Sequence, residues 1–380
     1  MPSCCKEAGE AVADLVVAAT ETQYGACQAG EVITLRDGVS RSVVSICPSA
    51  GNVVFELRVG GENVLWFPFD TLDEFKADGH GRAGIPFLGP WANRLDERAF
   101  YANGQRFAFD MSLGNVRGEL PIHGLLMETD RWRVLDVNAD VSSAWVTSRL
   151  EFFREPLWMK QFPFAHTIHM THRLRDGVLE VTTKIESSSA DPMPVSIGFH
   201  PYFRLTDSDR SDWTVSIGAR RRWCLDPTKV PTGETEAVDI VFPDAQAVRV
   251  RDYALDDVFD DLIRDARGTS VMSVWGARQR IDIEVGPNYR SIVVFAPESS
   301  ALRADSTPPS RRSASRRRSG ERGRSLGGGQ PRPGDFVCLE PMAGISNSMN
   351  LAHRGLYHDL QYISPGGTWQ ESFRICPKGF

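Results

Sequence analysis

The sequence contains no run of about 18 apolar residues, the length that crosses a bilayer as a helix, so no membrane span is expected. It also has no Cys-x-x-Cys pair. Its seven cysteines (Cys4, Cys5, Cys27, Cys47, Cys224, Cys338 and Cys376) are odd in number and irregular in spacing. That argues against a zinc ribbon or a complete disulfide framework, and reduced thiols in a cytoplasmic protein are the simplest reading. The N-terminus lacks the basic start of a secretory signal. Glu7 and Glu10 precede the apolar stretch at residues 11–19, Asp14 interrupts it, and only Lys6 is positive. An overall basic charge is missing too. The net charge of −6 gives no general reason to expect nucleic acid or an acidic membrane as partner. The charge is unevenly spread: residues 301–335 hold nine Arg against two Asp and one Glu, a net +6 that leaves −12 on the remainder.

What the sequence does have is period-2 alternation. The length of 380 residues suits one large domain or two ordinary ones, and the hydrophobic fraction of 41% supplies a sizeable core. Phe55, Leu57 and Val59 alternate with Glu56 and Arg58, and Gly60-Gly61 separates them from Val64-Leu65-Trp66. Asn103-Gly104 and Asp176-Gly177 mark further hairpins. Ile281 to Val285 alternates cleanly, and an apolar run at residues 291–295 follows across Gly286-Pro287-Asn288. Helical periodicity is scarce. Many short strands at close spacing predict an all-β sandwich or barrel, with residues 31–380 as one domain. Residues 1–30 show no strong periodicity and read as an N-terminal extension, either partly disordered or covering a sheet edge. Residues 298–335 are rich in Arg, Ser and Gly and cannot bury enough apolar area to offset ordering entropy, so they read as a disordered insertion.

Four polar sites interrupt this apolar and turn-rich background. Arg94 follows Pro90-Trp91 and can offer a planar fork of donors to hydroxyls or a carboxylate; an ion pair with Asp96 or Glu97 is the structural alternative. His123 stands beside Gly124, which leaves room for a ligand to approach the ring. His200 sits in an aromatic, proline-stiffened stretch, and histidine is the side chain best matched to proton transfer near neutral pH. Glu340 ends the apolar run from Phe336 to Leu339, where desolvation would raise its pKa and make it a useful base. For each histidine and for Glu340, the alternative is a structural group with its hydrogen bonds satisfied.

Other signals carry less. Gly79, Gly81 and Gly84 have dinucleotide-loop spacing, but no strand-turn-helix context surrounds them. His166 and His172 would lie on one strand face with His169 on the other, and no Cys or carboxylate completes a metal set. The arginine run lacks the interleaved aromatics of a nucleic-acid platform. Asp256-Asp257 and Asp260-Asp261 read as a solvated acidic turn.

Taken in order, Asn93-Arg94, His123-Gly124, His200-Pro201-Tyr202-Phe203, Leu255-Asp256 and Glu340-Pro341 resemble the galactose mutarotase, or aldose 1-epimerase, family. The stretches at residues 84–95, 340–350 and 365–373 are similar to it as well, so the resemblance covers residues 31–297 and 336–380. It implies a large twisted antiparallel β-sandwich and interconversion of the α and β anomers of free hexoses such as glucose and galactose. It further implies Glu340 as the general base at the C1 hydroxyl and His200 as the general acid at the ring oxygen. His123 would be a second histidine near that oxygen, with Arg94, Asn93 and Asp256 holding sugar hydroxyls. The implied partner is a small-molecule sugar, with no cofactor, metal, nucleic acid or membrane. Two competing readings share the fold: a hexose-6-phosphate 1-epimerase and a non-catalytic sugar-binding protein. His200-Pro201 resembles the free-aldose type, and the presence of both a candidate base and a candidate acid argues against a pure binder. The long connection between Pro297 and Phe336, normally short in the family, is the main departure.

Overall fold

The computed structural model describes residues 23–78, 81–297 and 334–380. In it the period-2 stretches are antiparallel strands. His166–Arg175 shows why: His166, Ile168, Met170, His172 and Leu174 are buried, and the residues between them are half-exposed. A pleated strand gives this alternation when one face meets a core. Asp176 and Gly177, both with positive φ, make the two-residue turn into Val178–Ser187. Gly60-Gly61 joins Val53–Val59 to Glu62–Asn63, and Asn103-Gly104 joins Ala99–Ala102 to Gln105–Ala108.

Two large sheets organise the molecule, with a five-stranded meander at the N-terminal side. The nine-stranded sheet runs from Arg133–Ala139 through His166–Arg175 and Val178–Ser187. The C-terminal strand Thr368–Lys378 is inserted between Val178–Ser187 and Arg280–Val285. The eight-stranded sheet contains Ala219–Leu225, Leu255–Leu262, Ser291–Ala296, Val337–Met342 and Gly198–Phe199 in that spatial order. Arg280–Val285 and Ser291–Ala296, though consecutive, lie in different sheets. Gly286-Pro287-Asn288 is therefore a crossing between layers. The main core lies between the layers. Ile168, Val181, Ile283 and Phe373 from one sheet join Phe259, Ile292, Val294 and Leu339 from the other. Each such side chain contributes roughly 1.5–3 kcal/mol through burial.

The strand Val337–Met342 is buried along its whole length. Val337 and Leu339 join the main core. The alternate residues Cys338 and Met342 belong to two smaller clusters with Tyr202, Phe336, Val258, Val293 and Ile345. Glu340 falls on this second face, so a carboxylate sits within a doubly covered strand.

Three expectations need correction. Strand Tyr24–Ala29 pairs with Val32–Asp37, so the folded sheet begins inside the stretch read as an extension. This strand is mostly half-exposed, with only Tyr24 buried, which is why it carries no hydrophobic period. Asp256, Asp257, Asp260 and Asp261 are on the strand Leu255–Leu262 and do not form a solvated turn. Asp257 and Asp260 are buried and pair with Arg222 and Arg221 of Ala219–Leu225, each at 2.6 Å, which offsets their desolvation. Finally, Arg94 pairs with neither Asp96 nor Glu97, which instead bond Arg354 and Arg106. Residues 1–22 and 298–333, with most of the expected extension and most of the insertion, lie outside the described residues. Among the described residues no helix is long and apolar enough to cross a membrane.

His166 and His172 point into the core from one strand face, and burial pushes both imidazoles down to about 4. In the unfolded chain they protonate near a pKa of about 6.5. Their stabilising contribution is therefore complete above that pH and is lost as pH falls towards 4, on the order of 3 kcal/mol for each. Denaturant titrations from pH 7 to pH 4 should show a steep acid loss in wild type and a shallower one in His172→Gln. Parallel acid limbs would show that His172 does not carry this dependence.

Candidate active site

The site assembles where the Glu340 strand meets three irregular segments. Gly89 bridges Gly124, and Arg94 bridges Ile122, so the segment carrying Asn93 and Arg94 runs beside the one carrying His123. Gly124 permits this approach: its φ is +65°, and a Cβ there would stand 2.1 Å from the Gly89 carbonyl oxygen. Asn93 and His123 then bond each other reciprocally. The His123 N–H donates to the Asn93 carbonyl at 3.1 Å, and the Asn93 N–H donates to His123 Nδ1 at 3.2 Å. Because Nδ1 accepts, the neutral ring carries its proton on Nε2.

Asn93 Oδ1 accepts from the backbone N–H and from Nη1 of Arg94, at 2.8 and 3.2 Å. The other arm of the guanidinium, Nη2, meets Asp256 Oδ2 at 3.2 Å. Both partners of this pair are partly open, with side chains 11% and 17% exposed, so the site opens to solvent on their side. Glu340, 1% exposed, and His200, 7% exposed, lie deeper.

His200 is held by its backbone and by rings. Its N–H donates to the Pro86 carbonyl at 3.1 Å. Its imidazole stacks on Tyr202 at 4.5 Å and 12°, and meets Phe295 and His123 edge-on at 5.9 and 5.4 Å. His200 Nε2 lies 3.1 Å from Glu340 Oε1. A continuous series of contacts thus joins Asp256, Arg94, Asn93, His123, His200 and Glu340. All six residues singled out in the sequence converge here. His169 is elsewhere, on the outer face of its strand beside Glu186 at 3.3 Å.

The electrostatics follow from burial. Desolvation drives the Glu340 carboxyl well above the usual range; the Asp256 carboxylate adds to this and Arg94 opposes it. Burial pushes His200 down to about 3, with Arg94 and Arg82 acting in the same direction. His123 is also held well below the ordinary imidazole value, by burial first and then by His200 and Arg94. In the protein alone, Glu340 Oε2 and His200 Nδ1 are buried without a hydrogen-bond partner. Buried polar atoms are almost always bonded, so these two retain unused hydrogen-bonding capacity beside the Glu340–His200 contact.

A sequence profile described as aldose 1-epimerase matches residues 31–371. The chain belongs to the aldose 1-epimerase family. Its fold is that of solved relatives. A galactose mutarotase-like protein from Clostridium acetobutylicum aligns with a TM-score of 0.72 and 20% identity, covering 94% of this chain and 98% of that one. A galactose 1-epimerase from Lactobacillus acidophilus gives 0.66 and 14%, covering 94% and 98%. A GalM/aldose epimerase homologue from C. elegans gives 0.65 and 17%, covering 89% and 96%. At these identities the likeness establishes the fold alone.

Sequence reasoning overlooked two residues of this candidate site. Tyr202 was only part of a motif, yet it shares a side with His200, as residues two apart on an extended segment do. Asn347 donates its N–H to the Arg94 carbonyl at 2.9 Å, and its Oδ1 accepts from the Asp96 N–H at 3.3 Å. Its φ of 61° matches the left-handed conformations of Asn93 and His123, which cluster around one site. Nothing in the sequence alone separates Asn347 from an ordinary turn asparagine.

The His123 geometry has a direct readout. ¹⁵N NMR should report a neutral imidazole protonated on Nε2 from pH 8 to pH 5.5. An imidazolium signal for His123 at pH 6 would contradict the assignment.

Proposed function

We propose that this protein interconverts the α and β anomers of free hexoses by acid-base catalysed ring opening and closure. The observation that carries the reading is the direct contact of Glu340 and His200 at 3.1 Å, each with a second polar atom unpartnered, beside the Arg94–Asp256 pair. A hemiacetal presents one proton donor, the C1 hydroxyl, and one acceptor, the ring oxygen, to such a pair.

Arg94, Asn93 and Asp256 hold the sugar hydroxyls and set its orientation. Glu340 takes the proton from O1 as the C1–O5 bond breaks and C1 becomes an aldehyde. His200 delivers a proton to O5. The C1–C2 bond rotates, and closure on the other face returns both protons by the reverse transfers. Opening proceeds from the ion-pair tautomer, a carboxylate and an imidazolium, which the neutral pair favoured by burial reaches by passing one proton across the 3.1 Å contact; afterwards the pair is again a carboxylic acid and a neutral imidazole. The proton count is unchanged. Burial favours the neutral pair, so it drives the two transfers out of the ion-pair tautomer and makes forming that tautomer the costly step. His123, donating from Nε2, supports the ring oxygen as its charge changes.

Polarimetry on fresh α-glucose, α-galactose and α-glucose 6-phosphate tests the reading, and free hexoses should give the faster approach to equilibrium. No acceleration with any sugar would leave a binding protein as the better account. Glu340→Gln keeps the side chain's shape but cannot accept the proton, and should lower kcat by about 10²–10⁴-fold. His200→Asn should lower it similarly, while His169→Asn should leave it near wild type. Equal losses at His200 and His169 would undo the assignment of the acid.

A further inference from the structure

We propose that Arg210 is a positioning residue for the active site, clasping the two ends of the long connection before the Glu340 strand and steadying the rings beneath His200. The proposal rests on the epimerase reading for its kinetic consequence only. Strands Ser291–Ala296 and Val337–Met342 pair antiparallel, with Phe295 opposite Cys338 and Val293 opposite Glu340. They form a hairpin whose connection is dozens of residues long instead of a tight turn. A long connection holds its ends together more weakly than a short one, because closure entropy grows with length.

Arg210 stands at that open end. Its Nε donates to the Phe336 carbonyl at 2.8 Å and its Nη2 donates to the Pro297 carbonyl at 2.9 Å. One residue thus ties Pro297, just after the first strand, to Phe336, just before the second. It is mounted on the single turn Arg210–Asp212, and the next residue, Trp213, is buried in the main core and bonds the Ser208 carbonyl. A guanidinium reaches both acceptors through its fixed fork, whereas an ammonium presents a single point.

The clasp connects to the chemistry through Phe336. That ring packs on Trp66 at 4.9 Å, on Tyr202 at 5.0 Å and on Phe295 at 6.0 Å. Tyr202 in turn stacks on the His200 imidazole, and Phe295 meets its edge. Asn93 and the Arg94 backbone are held by separate bonds from His123 and Asn347. Loosening the hairpin end therefore disturbs the acid more than the sugar-holding groups.

The test compares Arg210→Met and Arg210→Lys in the full chain and in a chain lacking residues 299–333, where Glu298-Gly334-Asp335 closes the hairpin. In the full chain both substitutions should lower kcat for mutarotation about tenfold, with KM within about twofold. In the shortened chain, where a covalent turn replaces the clasp, Arg210→Met should cost less than about twofold. An equal loss in both chains, or a loss confined to KM, would overturn the proposal. Hydrogen exchange gives a readout that needs neither activity nor the shortened chain. Arg210→Met should speed exchange at the Phe295–Cys338 end of the hairpin and spare the Ser291–Met342 end. Uniform or unchanged exchange would overturn the clasp even if the enzymatic reading holds. Local acceleration in a protein without mutarotase activity would sustain the clasp and reject that reading.

Discussion

Glu340 and His200 meet at 3.1 Å inside the protein, and much of the surrounding structure makes that contact tolerable. A carboxylate on a strand covered on both faces costs several kcal/mol unless it is partnered or neutral. Here burial raises the pKa of the Glu340 carboxyl and lowers that of the His200 imidazole, so the pair relaxes to a form without separated charge. The sheet register supports the arrangement. Val293 stands between Glu340 and Val258 across three strands, and Phe295 stands between Cys338 and Asp256. Asp256 therefore reaches the same face as Glu340 from two strands away, close enough for its charge to act on it.

The polar groups around this pair are fixed by backbone more than by side-chain packing. Asn93, His123 and Asn347 all take left-handed conformations that L-residues adopt reluctantly, and Gly124 stands where a Cβ would collide with the Gly89 carbonyl. Backbone bonds between Asn93 and His123 and between Asn347 and Arg94 hold this strained geometry. Behind it, Asp96 ties Asn350 and Arg354 to the Arg94 segment. Such a scaffold keeps donors aimed without relying on flexible side chains, which is what preorganised proton transfer requires.

The long connection enters at a tolerant point. It leaves the hairpin beyond the Phe295–Cys338 pair, while Glu340 pairs with Val293 two residues deeper. An aromatic cluster of Trp66, Tyr202, Phe295 and Phe336 lies between the two. The two described ends of the connection, Pro297 and Phe336, are thus separated from Glu340 and His200 by packed rings.

Composition and alternation alone determined the all-β class, the hairpins at Gly60-Gly61, Asn103-Gly104 and Asp176-Gly177, and the two-faced strand carrying His166, His169 and His172. These are local properties, since period 2 and turn chemistry act over a few residues. The six site residues were also legible, because a titratable or forked side chain beside Gly or Pro stands out in an apolar background. Their neighbours were not. The Arg94 partner is Asp256, 162 positions away, and not the nearby Asp96 or Glu97. Asp257 and Asp260 looked solvated until Ala219–Leu225 brought Arg222 and Arg221 beside them. Tyr24–Ala29 looked irregular because an edge strand with little burial needs no hydrophobic period. Tyr202, Asn347 and Arg210 act through stacking, a left-handed turn and two carbonyls, none of which leaves a mark on spacing or composition. Tertiary structure decided these because pairing across sheets, and the burial that goes with it, depends on strand order, which local sequence does not encode.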